Sequence, residues 1–207
     1  MNNNLLIIFT RNPELGKVKT RLAVSVGDSS ALEIYKFLLD HTVSITKKLN
    51  VNKQVHYSAK VRNNDLWDES VYTKKLQSGE DLGIKMNYAF QQGFEDGFNN
   101  IIIIGSDMYD MSQQDLEEAF LALQNHDYVI GPAKDGGYYL IGMKKLNPTL
   151  FRNKNWGTNT VLKDTLKNLK NESLKILPQL NDVDYYLDIK EIDVFQQFLK
   201  NTKEETS

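Results

Sequence analysis

The sequence predicts an α/β domain built on a mixed, mainly parallel sheet with helices on both faces. Strand patterns alternate along the chain with amphipathic helical patterns, as expected of this architecture. Residues 5–10 (LLIIFT) and 100–107 (NIIIIGSD) contain continuous apolar runs, which are typical of strands buried on both faces. The tight AKDGG segment between the apolar runs 128–132 and 138–143 predicts one antiparallel hairpin inside the sheet.

The first half of the chain carries one long helical pattern and two short strand patterns. Apolar residues recur at helical spacing up to Ile45, and Ser29 or Ser30 is a suitable N-cap for that helix. The segments QVHYSA and YTKKLQ, at residues 54–59 and 72–77, predict the second and third strands. These elements precede the strongest strand signal, the four consecutive isoleucines that we place at the centre of the sheet.

Capping signals mark the helices on either side of that central strand. Asp81 precedes an apolar stripe with steps of about four residues, and it is the predicted N-cap of a helix. Ser112 followed by Asp115 resembles a capping box. The last predicted elements are a helix over residues 159–169, a strand over 174–177 and a helix over 190–199.

Length and composition predict one soluble domain. The chain has 207 residues, of which 41% are hydrophobic and 25% charged, so we expect one domain over residues 1–200 and a disordered tail over 201–207. The absence of cysteine excludes disulfides, thiolate nucleophiles and cysteine-ligated zinc. A formal charge of −2 indicates no general attraction to nucleic acid or anionic lipid. No apolar run is long enough for a membrane span or a secretory signal, so we expect a cytoplasmic protein.

A basic segment follows the first predicted strand. The sequence TRNPELGKVKTRLA, residues 10–23, carries four cations, Arg11, Lys17, Lys19 and Arg21. Gly16 lies among them and permits a close approach of the backbone to a ligand. Phosphate oxygens are bound by this combination of backbone N–H groups and charged side chains, at the carboxyl edge of a parallel sheet. The spacings of a P-loop and of a dinucleotide fingerprint are both missing, so the segment predicts phosphate binding of another kind.

A carboxylate follows the four isoleucines. Asp107 comes after Gly105 and Ser106, which are too small to block access to it. Mg²⁺ and Mn²⁺ take oxygen ligands, and Mg²⁺ is usually held by one or two carboxylates together with substrate phosphates. A turn or helix cap is the alternative role for Asp107, but Ser112 already supplies a cap. We therefore predict that Asp107 holds Mg²⁺ or Mn²⁺ together with substrate phosphates.

Six motifs in order resemble one known family. They are TRNPELGKVKTRLA, QSGEDLGIKM, IIIIGSD, GPAKDGGYYLIG, the isolated Trp156 and DVDYYLDI. Over residues 5–189 they are similar to small bacterial nucleotide-diphospho-sugar transferase-like proteins, a family of glycosyltransferase type with the Rossmann-like glycosyltransferase-A fold. The segment KTRLA also resembles the K-S-R-L-A segment of the 2-phospholactate guanylyltransferases, which share that fold.

The resemblance implies roles for particular residues. The positions that match nucleotide-binding segments are Thr10, Arg11, Gly16, Lys17, Arg21, Gly79, Asp81, Leu82, Lys85 and Ser106. Asp107 matches the metal-binding aspartate of the fold, followed here by Tyr109 where relatives usually have proline. In DVDYYLDI, which resembles the D-T-P-E-D-L signature of related nucleotidyltransferases, Asp184 matches a second metal ligand and Asp188 the cap of the final helix.

Asp135 and Trp156 each have two interpretations. An Asp-Gly turn accounts for Asp135 as hairpin chemistry, and the residue is also the candidate catalytic group that orients an acceptor hydroxyl or acts as a base. Trp156 either stacks on a sugar or base or packs in the core.

The predicted function is metal-dependent transfer from a nucleotide-activated donor, with glycosyl transfer from a nucleotide-diphospho-sugar as the leading hypothesis. The segment KTRLA favours an alternative, nucleotidyl transfer from a nucleoside triphosphate to a phosphorylated or acidic acceptor, with release of pyrophosphate. The absence of the L-A-G-G opening usual in those enzymes disfavours it. A non-catalytic nucleotide-binding module is a third hypothesis, and the presence of Asp107 disfavours that one. The expected partners are the donor and a small-molecule acceptor, with no nucleic acid, and the oligomeric state is left open.

Overall fold

Seven strands form one sheet in the computed structural model, which describes residues 3–199. The strands are β1 (Asn4–Thr10), β2 (Asn52–Tyr57), β3 (Thr73–Leu76), β4 (Asn100–Gly105), β5 (Tyr128–Pro132), β6 (Tyr138–Met143) and β7 (Leu174–Ile176). Their order across the sheet is β3-β2-β1-β4-β6-β5-β7. Only β6 runs antiparallel to its neighbours, β4 and β5, so the mainly parallel sheet and its hairpin are both confirmed. The predicted tail, residues 201–207, lies outside the described residues.

Helices cover both faces of this sheet. They are α1 (Thr20–Thr46), α2 (Leu82–Glu95), α3 (Gln113–Asn125), α4 (Val161–Asn168) and α5 (Gln196–Leu199). Alternate residues of β4 point to opposite faces: Ile102 and Ile104 pack in one core cluster with α1 and α3, whereas Ile101 and Ile103 pack in another with α2. No helix within the described part of the chain is both long and apolar enough to cross a membrane.

The four isoleucines form the middle strand of the sheet. All four are at most 4% exposed, and β4 is the fourth of seven strands in the order. A strand that is covered by helices on both faces of the sheet needs apolar side chains at successive positions, because these side chains alternate between the two faces. The four consecutive isoleucines meet this requirement. Asp107 therefore lies just beyond the carboxyl end of a central strand, at the predicted position.

The start of the first helix differs from the prediction. It begins at Thr20 rather than at Ser29 or Ser30, and it is interrupted at Gly27, whose φ of 79° and ψ of 156° are not helical. The first turns are stabilised by Leu22 and Val26, a buried i, i+4 pair that lies before the predicted start of the helix. The segment KTRLA consequently lies on the N-terminal turn of a helix, with its cations directed along the carboxyl edge of the sheet.

The caps around β4 are confirmed. The carboxylate of Asp81 accepts a hydrogen bond from the backbone N–H of Ile84 at 2.8 Å, so it caps α2. Ser112 and Asp115 form the predicted capping box of α3. Both helices thereby start just beyond the carboxyl edge of the sheet.

The C-terminal segment is less helical than predicted. In place of a helix over residues 190–199 there is a 3-10 turn, Asp193–Phe195, followed by the single turn of α5. Asp188 does not cap it; its carboxylate accepts hydrogen bonds from the backbone N–H groups of Asp184 and Tyr185. The apolar residues of this segment pack against the outer side of α1, and that packing rather than helical periodicity determines its path.

Candidate functional site

Three segments that are distant in sequence meet at the carboxyl edge of the sheet. The ammonium nitrogen of Lys19 lies 2.8 Å from Oδ2 of Asp107 and 3.0 Å from Oδ1 of Asp184. Arg21 donates to the other oxygen of Asp184 at 3.3 Å. The two predicted metal ligands therefore lie close together and share one cation.

Lys19 has an unusual backbone as well as a buried side chain. It is the residue before α1, and its φ of 47° and ψ of 42° are left-handed. For a residue with a Cβ that conformation costs on the order of 1 kcal/mol, so it persists only where surrounding contacts enforce it. The Lys19 side chain is only 4% exposed, whereas those of Asp107 and Asp184 are 41% and 28% exposed. Sequence reasoning counted Lys19 among four cations and gave it no role of its own.

The ion pair sets the charge states of the cluster. Burial disfavours a charged lysine, but the carboxylates of Asp107 and Asp184 outweigh it and raise the pKa of Lys19 above its ordinary value. Burial also opposes ionisation of Asp107, and the Lys19 ammonium reverses this and holds the pKa of Asp107 below its usual range. Asp182 behaves differently: burial, and then the nearby Asp135 carboxylate, raise the pKa of Asp182 to about 6. No local sequence pattern indicates that Asp182 is buried beside Asp135.

A groove of about 830 Å³ runs across this edge of the sheet. The predicted nucleotide-binding residues that line it are Thr10, Arg11, Lys17, Arg21, Asp81, Leu82, Lys85 and Ser106. Asp107, Asp135 and Asp184 line it as well. The remaining two predicted residues, Gly16 and Gly79, shape the adjoining turns with φ of 71° and 127°. At Gly79 a Cβ would lie 2.6 Å from the Ile84 side chain, which leaves room only for glycine.

Hydroxyl groups hold the floor of the groove together. Ser106 donates to the hydroxyl of Thr10 at 3.2 Å, and the Tyr35 hydroxyl lies 3.2 Å from that of Ser106. The backbone N–H of Arg11 also donates to the Tyr35 oxygen, at 2.9 Å. Thr10 and Ser106 thus fix the ends of β1 and β4 relative to α1. Helical periodicity is consistent with a buried position for Tyr35 on α1, but it does not reveal what the Tyr35 hydroxyl contacts.

The cations of the groove differ in how freely they can reach a ligand. Lys17 is 73% exposed and pairs with Glu14 at 2.9 Å. The guanidinium of Arg21 pairs with Asp184 and lies 5.7 Å from the centre of the Tyr185 ring. Together with the buried Lys19, these exposed cations place N–H donors suited to phosphate oxygens at one end of the groove, each beside a carboxylate partner.

A smaller chamber of about 270 Å³ adjoins the groove. Asp135 lines both cavities, and one of its oxygens accepts a hydrogen bond from the backbone N–H of Gly137 at 2.7 Å. Asp135 therefore stabilises the hairpin turn, and it also lies at the junction of the two cavities. Trp156 lines the chamber and packs on α2, where a Cβ on Gly83 would lie 2.6 Å from the indole.

The carboxylate pair is suited to a hard divalent cation. Asp107 and Asp184 converge on one positively charged nitrogen, which shows that their oxygens can share one cation. Among residues 3–199 no group of three or more acidic, histidine or cysteine side chains is positioned to hold a metal ion. Two carboxylates suffice where substrate phosphates complete the coordination, as is usual for Mg²⁺.

Comparisons with known proteins agree with this architecture. A family model described as "Uncharacterized protein conserved in bacteria (DUF2064)" matches residues 41–158. A crystal structure from Desulfovibrio desulfuricans G20, described provisionally as a nucleotide-diphospho-sugar transferase, is 31% identical, with a TM-score of 0.82. The match covers 100% of this chain and 90% of that one. The resemblance inferred from the six motifs is thereby confirmed.

More distant structures share the fold alone. The manganese complex of Rv0371C from Mycobacterium tuberculosis H37Rv is 11% identical with a TM-score of 0.57, and the match covers 96% of this chain and 98% of that one. The 4-diphosphocytidyl-2C-methyl-D-erythritol synthase of Anaerococcus prevotii DSM 20548 is 9% identical with a TM-score of 0.58, over 94% and 97% of the two chains. No curated protein matches the sequence. On the family model and the 31% identical structure, the chain belongs to the DUF2064 family of bacterial proteins.

Proposed function

We propose that the chain is a transferase that acts on a nucleotide-activated donor, and that its reaction is glycosyl transfer from a nucleotide-diphospho-sugar. One observation carries the proposal: Asp107 and Asp184 converge on a single cation beside a groove that is bordered by cations. A diphosphate needs positive charge along its length, and this edge of the sheet supplies it. At the coarse level, the relatives are transferases that use nucleotides, which supports the same class.

In this proposal the donor lies along the groove. Its diphosphate contacts Arg11, Lys17 and Arg21, and its base and ribose lie towards the turn that precedes α2, where Asp81 and Lys85 line the groove. The cations would donate charge-assisted hydrogen bonds to phosphate oxygens and stabilise the negative charge that grows as the diphosphate leaves. Gly79 keeps this turn close to the first residues of α2.

Asp107 and Asp184 are the residues that would hold Mg²⁺ or Mn²⁺, and a manganese complex of a protein with the same fold supports the use of a divalent cation. When bound, the divalent cation would neutralise part of the charge on the diphosphate leaving group. Lys19 already provides a positive charge at the same two carboxylates. Lys19 can therefore donate to a phosphate oxygen as well as to Asp107.

Asp135 is the proposed catalytic residue, because it lies where the groove meets the chamber. The acceptor oxygen forms a bond to the anomeric carbon, and the bond between that carbon and the diphosphate oxygen breaks. The acceptor proton passes to the Asp135 carboxylate, and the nucleoside diphosphate leaves. A carboxylate placed to accept this proton contributes to the rate as a general base.

Nucleotidyl transfer is the second candidate, favoured by the position of the KTRLA segment, whose Lys19 contacts the carboxylate pair directly. The two reactions release different products. Purified protein with Mn²⁺ and a mixture of acceptor candidates should release nucleoside diphosphate from a nucleotide sugar under the first hypothesis, and pyrophosphate from a nucleoside triphosphate under the second. Asp107→Asn is the negative control in both. Release of neither product from any donor tested would contradict both.

A further inference from the structure

We infer that the 270 Å³ chamber beside the groove binds an acceptor with a small apolar body and a neutral or positively charged head, and that it excludes phosphorylated and carboxylated acceptors. The assignment as an acceptor subsite rests on the proposed function, since it requires a donor in the groove. The selectivity of the chamber rests on its lining alone.

The inner wall of the chamber is apolar. Ile103 of β4, Ile141 of β6, Met86 of α2 and Val161 of α4 line it and are each at most 5% exposed. The half-buried indole of Trp156 forms part of the same wall. The volume lies just below the roughly 300–1,000 Å³ of sites for drug-sized ligands, so one ring with a short chain is an appropriate size. Burying an apolar ring against this wall is favourable, whereas burying a strongly hydrated ligand group there is not.

The end of the chamber next to the groove is acidic. Four carboxylates line it, those of Asp107, Asp135, Asp182 and Asp184. None of the chamber's lining residues, within residues 3–199, is a lysine, arginine or histidine. Lys19 contacts Asp107 and Asp184 from the groove side, which leaves Asp135 and Asp182 without a matching cation on the chamber wall. A hydroxyl or ammonium group finds acceptors here, whereas a phosphate or carboxylate meets like charge.

The chamber and the groove form one continuous space. Asp107, Asp135, Asp184 and Gly157 line both cavities, so the acidic end of the chamber is also where the groove begins. An acceptor whose apolar body rests on Met86 would present its head group at this junction. The groove thus has both cations and carboxylates in its lining, whereas the charged side chains that line the chamber, within residues 3–199, are all carboxylates. That arrangement is the opposite of what a phosphorylated acceptor requires.

Three probes with one apolar body test the selectivity: 2-phenylethylamine, 2-phenylethanol and 2-phenylethyl phosphate. Each is titrated into the full-length protein with and without Mn²⁺, and binding is followed by calorimetry and by Trp156 emission. Without Mn²⁺, we expect the amine and the alcohol to bind at least about tenfold more tightly than the phosphate, a factor that corresponds to about 1.4 kcal/mol. Mn²⁺ at Asp107 and Asp184 should narrow this difference, because it offsets part of the negative charge. Equal or tighter binding of the phosphate, or no binding of any probe, would overturn the inference.

A charge substitution in the chamber provides the matched test. Thr158 is exposed and lines the chamber, so Thr158→Lys adds a cation there. We expect it to weaken binding of the amine and strengthen binding of the phosphate. Gln114→Lys adds the same charge at an exposed position of α3, on the opposite face, and should leave the probe ranking unchanged. Unaltered affinities for both the amine and the phosphate in Thr158→Lys would overturn the inference. Nucleoside diphosphate is titrated in parallel: its failure to bind, with probe selectivity retained, contradicts the proposed function and not the selectivity of the chamber.

Discussion

The ammonium of Lys19 lies 2.8 Å from a carboxylate oxygen of Asp107, and the same nitrogen lies 3.0 Å from Asp184. Lys19 is 88 residues from Asp107 and 165 from Asp184 in sequence. One side chain thus ties together the loop after β1, the end of β4 and the segment before α5. Lys19 also has a left-handed backbone, with a φ of 47°, so an unusual conformation and a buried ion pair occur at the same residue of the site.

Replacing Lys19 should lower stability and increase the effect of a divalent cation. Lys19→Met leaves two neighbouring carboxylates without their shared cation. Breaking a fully buried pair costs roughly 3–5 kcal/mol, and because both carboxylates are partly exposed we expect about 1–3 kcal/mol. Urea denaturation with and without MnCl₂ measures this, and Mn²⁺ should stabilise the variant more than the wild type. Lys36→Met, which removes a pair between exposed residues, is the control. Equal Mn²⁺ stabilisation of variant and wild type would contradict the shared-cation arrangement.

Removing a groove cation should weaken nucleotide binding. A charge-assisted hydrogen bond to phosphate contributes about 1.5–3 kcal/mol, so we expect Arg21→Ala to lose roughly 10- to 150-fold in affinity. Lys17→Ala should lose less, because the Lys17 side chain is 73% exposed whereas that of Arg21 is 49% exposed. Calorimetric titration of nucleoside diphosphate checks both, with the exposed Lys48→Ala as control. Wild-type affinity in both groove variants would show that the cluster is an ordinary solvated surface.

His56 should make the protein less stable in mild acid. It is 3% exposed, stacks on Phe9 with ring centres 5.7 Å apart, and contacts Gln54 at 3.0 Å. Burial, and then the charge of Lys75, lower the pKa of His56 from 6.5 to about 4. As pH falls below the unfolded-state pKa, the unfolded chain takes up the proton first. Neutral His56 therefore contributes its full stabilisation above the unfolded-state pKa. This contribution decreases as the pH falls from the unfolded-state pKa to the folded-state pKa.

The size of this effect follows from the shift in pKa. The pKa of His56 is lowered by between two and three units, which corresponds to about 3 kcal/mol of unfolding free energy. Urea denaturation at several pH values between about 7 and 4 measures it. We expect His56→Gln to flatten that dependence even if its stability at neutral pH is lower. An unchanged slope in the variant would show that another group controls the acid sensitivity.

The sequence was sufficient for elements whose signal is local. The four consecutive isoleucines of β4 indicate a strand that is buried on both faces. Asp81 and Ser112 indicate where the next helices begin. Together these local signals place Asp107 at the carboxyl edge of the sheet. Position after a strand identified Asp107 and the basic segment that line the groove, whereas Asp184 and the predicted residues of the segment 79–85 came from the family resemblance. Their chemical roles stay predictions.

Features that depend on distant contacts could not be inferred. The pairing of Lys19 with Asp107 arises only when β1 and β4 become neighbours, and no local pattern encodes it. The raised pKa of Asp182 likewise could not be inferred, because it comes from burial and from the Asp135 carboxylate on the distant hairpin. The start of α1 was missed for a different reason, because Gly27 interrupts the helix and breaks its periodicity.

Gly83→Ala should destabilise the protein, because the close contact between Gly83 and Trp156 leaves no room for a methyl group. A Cβ there would lie 2.6 Å from both the Phe151 carbonyl oxygen and the indole. Alanine gains about 1 kcal/mol in helix propensity, but overpacking costs roughly 1–3 kcal/mol, so we expect a net loss and a changed Trp156 emission. Denaturation followed by tryptophan fluorescence measures both, with the exposed Gln92→Ala on the same helix as control. A stabilised Gly83→Ala protein with native emission would contradict the close packing.

The central claim is that Asp107 and Asp184 bind a divalent cation together with a nucleotide diphosphate. Thermal shift with nucleoside diphosphates, triphosphates and nucleotide sugars, each with and without Mn²⁺, tests it most directly. A ligand at about a hundred times its dissociation constant adds roughly 2.7 kcal/mol, or about 5–10 °C for a domain of this size. Asp107→Asn is compared with Asp40→Asn, an exposed carboxylate of α1.

Because Asp107 pairs with Lys19, the Asn variant should melt below the wild type before any ligand is added, so the quantity to compare is the ligand-induced shift. We predict a nucleotide shift that grows with Mn²⁺ in the wild type and in Asp40→Asn, and that loses its Mn²⁺-dependent part in Asp107→Asn. A nucleotide sugar should give the largest shift if the reaction is glycosyl transfer. An equal Mn²⁺-dependent shift in Asp107→Asn, or no shift with any nucleotide in the folded wild type, would contradict the claim.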